Sequence, residues 1–142
     1  MQNYKNHRQL VPGYHFIAFG ILLVILFLSA YSLFTAIRDE SLITMNVLLF
    51  LISIYMTIAF FYSRIFALKA QDRAIRAEES LRHFILTGKT FDNRLGIKQI
   101  IALRFAPDDE FLELCKKAAE ENLTPEEIKR EIKNWKEDNY RA

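Results

Sequence analysis

His7, His15, His83 and Cys115 are the residues best suited by type to hold a metal or attack a substrate, and their spacing suits neither task. Metal ligands carried on one local element sit two to five residues apart, and no two of these four do. Glycine-rich phosphate loops and serine elbows are absent, and no Cys–His pairing suggests a nucleophile with its base. Asp108-Asp109-Glu110 could hold a cation. Three acids directly after Pro107 are also what the first turn of a helix favours, because its unpaired N–H groups carry positive partial charge. Cys115 is the only cysteine, so an internal disulfide is impossible, and it reads as a small apolar core residue. The sequence therefore predicts no enzyme, no cofactor and no metal site.

The elements around these residues explain the lack of chemistry. Tyr14 to Ile37 and Leu42 to Tyr62 carry no charged residue and are separated only by Arg38-Asp39-Glu40-Ser41. A helix rises about 1.5 Å per residue, so each stretch can cross a hydrocarbon core about 30 Å thick. Mean hydropathy is only +0.05 because these stretches are averaged with a charged remainder. Ala30-Tyr31-Ser32 offers a small-x-small cleavage pattern, but the first stretch exceeds a secretory signal core and a second follows it. The expected fold is all-α: a lead over 1–13, a two-span transmembrane hairpin over 14–62 and a cytosolic helical tail over 63–142.

Charge sets the expected orientation. Lys5 and Arg8 precede the first span, and Arg64, Lys69, Arg73 and Arg76 follow the second as membrane-surface bases facing anionic headgroups. Both termini are then cytoplasmic. From 63 to 106 nine bases face four acids; from 107 onward seven bases face eleven acids, although the whole chain is only +2. Nucleic acid is not the expected partner, since no aromatic platform accompanies the bases. Both spans lack Asp, Glu, Lys and Arg, which argues against an ion pathway within one copy.

Between Gly20 and Gly88 no glycine or proline interrupts the chain, so the second helix should run on into the cytosol. Along it Ser63, Ala67, Ala70, Ala74, Ala77, Leu81 and Phe84 recur at spacings of four and three. That stripe suits close helix packing, either in a homodimer seam or against the chain's own later helices. Asp92 is positioned to cap a short piece through Ile97, Ile100, Ile101 and Leu103; Ile101 to Phe105 also alternates, leaving helix and strand both open for 97–105. A helix from Pro107 should bury Phe111, Leu112, Cys115, Ala118 and Ala119 and close at Asn122-Leu123. Thr124-Pro125-Glu126-Glu127 is a capping box with proline at the first helical position, placing Ile128, Ile132 and Trp135 on one face of a last helix.

Ala102-Leu103-Arg104-Phe105-Ala106, then Leu123 to Lys129, Ile132-Lys133-Asn134-Trp135 and Tyr140-Arg141, together resemble a family of small bacterial membrane proteins classed as a domain of unknown function. The resemblance implies a bacterial inner-membrane protein with two spans and a cytosolic helical tail, and carries over no catalytic or binding residue. The expected role is a membrane-anchored interaction module or accessory subunit of a larger complex, whose partner is another protein or a second copy. Arg104, Phe105, Trp135, Tyr140 and Arg141 are the candidate contacts, with Phe105 and Trp135 equally suited to fill the tail's own core. The rival reading is a homo-oligomeric carrier or channel lined by Ser29, Ser32 and Thr57.

Overall fold

The computed structural model of the chain describes residues 3–4 and 10–138. Among them every regular element is helical: a π-helical stretch Gly13–Ala18 leads into α1 (Phe19–Arg38), followed by α2 (Ile43–Thr87), α3 (Ile97–Leu103), α4 (Asp108–Glu120) and α5 (Pro125–Glu131). Two compact units divide the chain, Leu10–Ala67 on the one hand and Leu68–Ala142 with Met1–Gln9 on the other. Lys5, His7, Arg8, Tyr140 and Arg141 lie outside the described residues.

In the first unit, Gly13–Arg38 and α2 are long and apolar enough to cross a membrane. Their large side chains point outward, with Phe27, Tyr31 and Tyr55 each about 70% exposed. In water so much bare apolar surface would be heavily penalised at about 25 cal/mol per Å². The turn takes Asp39 to Leu42, one residue later than the polar Arg38 to Ser41, with Arg38 still helical and Leu42 outside the second helix. Glu40 and Leu42 take left-handed φ values of 48° and 51° to reverse the chain. Hydroxyls join the two helices. Ser29 donates to the fully buried Ser53 at 2.9 Å, Ser32 to the Asn46 carbonyl oxygen at 2.5 Å, and Tyr14 to the Phe60 carbonyl at 2.8 Å. Tyr14 also stacks on Phe60, 4.3 Å between centroids. The Asn46 side-chain amide donates to the Leu42 carbonyl, so the residue ties the start of α2 as well as the pair. Asn46→Leu is expected to loosen the hairpin by about 1 kcal/mol, read as a lower thermal midpoint in detergent.

The second unit is a small helical core of Leu95, Ile100, Ala102, Leu103, Phe105, Ala106, Phe111, Leu114, Cys115, Ala118, Ala119, Ile128 and Ile132. Residues 97–103 are helix, which resolves the ambiguity left by their alternation. Its cap is Gly96 with Gln99, whose side-chain oxygen accepts from the Gly96 N–H at 2.6 Å. Asp92 does not cap it as expected; its carboxylate instead accepts from the Arg94 backbone and guanidinium, which holds the carboxyl at about 2. On α4 the buried face includes Leu114 rather than Leu112, and Asn122 (φ 51°) turns the chain just after it. Thr124 and Glu127 form the expected capping box, the Thr124 N–H donating to the Glu127 carboxylate at 2.7 Å.

The last helix is shorter than its periodicity predicts. α5 stops at Glu131, and Ile132 is already extended. Backbone donors beyond it find partners elsewhere: Lys133 and Asn134 donate to the Glu110 carboxylate at 2.9 and 3.0 Å, and Lys136 to the Phe105 carbonyl at 2.8 Å. These bonds replace the ones a further helical turn would have made. Burial pushes the Glu110 carboxyl up, but hydrogen bonds from the Lys133 N–H and from the Asn134 side chain and N–H outweigh it and hold the group below 4.5. A carboxyl depressed by folding stabilises above its unfolded pKa, and that stability is lost as pH falls through the folded value. Emission of the single tryptophan, Trp135, should therefore begin to change below about pH 4.5, and Glu110→Gln should remove that transition.

Candidate interaction surfaces

α2 presents two different faces within the second unit. One is turned into the core and carries Ile75, Glu79, Arg82 and His83. Arg82 is its anchor: Nε donates to Asp108 at 2.7 Å, Nη1 to Glu79 at 3.1 Å and Nη2 to the Ala106 carbonyl at 2.8 Å. Its guanidinium lies 4.1 Å over the Phe111 ring. Sequence periodicity did not single out Arg82. The available signal was Glu79 three residues before it, on the side of the helix away from the small-residue stripe.

That stripe is the other face. Within this unit Ala70, Ala74 and Ala77 are exposed, and Leu81 and Phe84 are 60% and 53% exposed; Ser63 and Ala67, at the end of the first unit, are exposed there. Within the second unit the later helices leave Ala70, Ala74, Leu81 and Phe84 uncovered, so there the internal use of the stripe is not taken among the described residues. Beside it stand Ile85, 71% exposed, and Leu86, with Gly88 at φ 69° closing the helix through its N–H to the Phe84 carbonyl.

The predicted tail contacts fall differently. Phe105 is 1% exposed and stacks on Trp135 at 4.9 Å, while Arg104 is buried, 4.6 Å over the Phe105 ring and paired with Asp138 at 3.0 Å. Arg104 and Phe105 thus serve the unit's own core and closing segment, the use the sequence also allowed for Phe105 and Trp135. Phe105 was ambiguous in sequence because a lone aromatic in an apolar run marks a core and a contact alike.

Of the bases expected to face a membrane surface, Arg64 lies 5.8 Å over the Tyr14 ring. Lys69, Arg73 and Arg76 line a cleft of about 650 Å³ with Asp72, Ala77, Ser80 and, from α3, Ile97. None of these three bases has an acidic partner within ion-pair distance among the described residues. A second cleft, of about 560 Å³, is lined by His83, Phe91, Leu95, Cys115 and Lys116 among others. The His83 Nδ1 lies 2.9 Å from the Lys89 carbonyl, and since a carbonyl only accepts, that nitrogen carries the proton. Burial pushes the Cys115 thiol up to about 12, which keeps it protonated near neutral pH. The protonated thiol is thereby not poised as a nucleophile, while the Nδ1–H bond of His83 leaves Nε2 as the acceptor of that ring. Among the described residues no cluster of three or more His, Cys, Asp or Glu could hold a metal ion.

Residues 1–142, the whole chain, match the model of a family of unknown function, DUF6526. No curated protein and no solved structure matches.

Proposed function

We propose, for a chain that belongs to this family of unknown function (DUF6526), a two-span integral membrane protein that acts as an anchored interaction module or accessory subunit. The observation that carries the reading is the bare face of α2 within the second unit, from Ala70 to Phe84, on a stretch of helix whose opposite face is fixed into that unit. A helix packed on one side and exposing small and apolar residues on the other is a preformed surface for a second helix, with little ordering left to oppose binding. The bare hairpin helices support the membrane anchor. Bacterial inner membrane, with both termini cytoplasmic, is the setting that the bases and the family resemblance favour. One contact agrees with termini on a common side: Tyr4, which precedes α1, donates to Glu126 on α5 at 3.0 Å.

Native mass spectrometry of the protein extracted in gentle detergent tests the reading. A stoichiometric second chain, foreign or identical, that is lost in Ala74→Glu supports it. A lone monomer, or an assembly indifferent to Ala74→Glu, overturns it. An assembly that moves a solute in liposomes would instead make the protein a homo-oligomeric carrier.

A further inference from the structure

The cleft beneath the bare face has a chemistry of its own. Lys69, Arg73, Arg76 and Ser80 follow one another at i, i+4, i+7 and i+11, which places them in one row on α2. Three bases and a hydroxyl thus line one side of a cleft of about 650 Å³, with a single acid, Asp72, among them. Ala77 leaves room in the row, and Ile97 supplies an apolar wall from the start of α3. The bases have no acidic partner among the described residues, so no internal ion pair must be broken for an anion to enter.

The position along α2 narrows the ligand. Ile65, Phe66 and Leu68 are exposed apolar residues between Arg64 and Lys69, and Lys69 opens the basic row after them. If α2 is a membrane span that ends near Tyr62, Lys69 stands about 10 Å and Arg76 about 20 Å farther along the helix, so the lysine end of the row is the one nearest the headgroups. The spread of the three bases over about two turns, roughly 10 Å of helix, exceeds the reach of one phosphate. Three bases offset by one acid match two negative charges rather than one. Arginine contributes paired donors suited to phosphate oxygens, lysine a point charge, and Ser80 a neutral donor.

We infer that this cleft binds the headgroup of an anionic lipid carrying two phosphates. The inference rests on the membrane reading above and deepens it: it replaces a diffuse collar of bases with one lipid site. Headgroup affinity comes from the charges, and selectivity from the walls that hold both phosphates at once.

The test uses the full chain in nanodiscs of neutral phosphatidylcholine doped with either cardiolipin or phosphatidylglycerol at equal total charge. Lipids retained per protein are counted by native mass spectrometry. One cardiolipin should be held in preference to phosphatidylglycerol. Arg73→Gln with Arg76→Gln should weaken retention at least about tenfold, since each base near a membrane surface contributes about fivefold. Ser80→Leu fills the cleft without changing charge and should remove the preference while the protein stays monodisperse. Equal retention of the two lipids, or a preference that survives Ser80→Leu, would leave only diffuse attraction and overturn the site. Release of cardiolipin by millimolar pyrophosphate would overturn a lipid source in favour of a soluble one. Membrane insertion is read separately, by whether the protein stays in the pellet after carbonate washing, so a failure of the anchor is not mistaken for a failure of the cleft.

Discussion

Arg82→Leu is expected to destabilise the small helical unit by about 3–5 kcal/mol, the range for removing one partner of a buried ion pair. A domain of this size has only about 5–15 kcal/mol of stability, so the loss is a large share of it. Each guanidinium nitrogen of Arg82 donates, to Glu79, Asp108 or the Ala106 carbonyl, and its plane covers Phe111. Leucine would fill part of the space but strand the carboxylate of Glu79, which is 7% exposed, away from water. Lysine would not rescue it, because one ammonium cannot reach three acceptors in a planar fork. Removing the stranded charge should help: Glu79→Leu with Arg82→Leu is expected to regain about half of the loss. Asp108→Asn should cost less than about 1 kcal/mol, since that carboxylate is mostly exposed. Urea unfolding of the detergent-solubilised chain, followed by Trp135 emission, measures all three. A double variant no more stable than Arg82→Leu would show that Glu79 is not what the arginine neutralises.

The parts of this fold legible in sequence are those that local physics decides. Two uncharged stretches with four polar residues between them favour paired helices, and the turn falls at those residues shifted by one, from Asp39 to Leu42. Thr124, Pro125 and Glu127 specify a helix start among themselves, and Pro107 with three following acids does the same. What failed depends on residues distant in sequence. Trp135 sits at a helical spacing from Ile128, yet α5 ends at Glu131 because Glu110 and the Phe105 carbonyl take the next backbone donors. No window around Trp135 contains either partner. Arg82 is hidden for the same reason, two of its three acceptors lying 24 and 26 residues onward. The stripe on α2 was visible as a pattern, but its exposure required knowing which face Arg82 turns inward.

A cysteine at position 41, introduced as Ser41→Cys, is expected to react fully with a membrane-impermeant maleimide added to intact cells. One introduced as Lys116→Cys should react only after permeabilisation. Ser41 lies in the exposed turn between α1 and α2, beside Arg38, whose charge is matched by Asp39 at 3.0 Å. The opposite ends of the two apolar helices carry the unbalanced charge, in Arg64, Lys69, Arg73 and Arg76. Inverting the hairpin would carry these bases through the hydrocarbon at about 2.5–3.5 kcal/mol each, together with a folded unit. The contrast between the two sites is therefore all-or-none rather than graded. Cys115 needs no replacement as background, because it is buried and its thiol is pushed up to about 12. Labelling at 116 in intact cells with protection at 41 would reverse the topology. It would also move the cleft of Lys69, Arg73 and Arg76 to the outer face, so the same pair of cysteines decides which leaflet supplies its lipid.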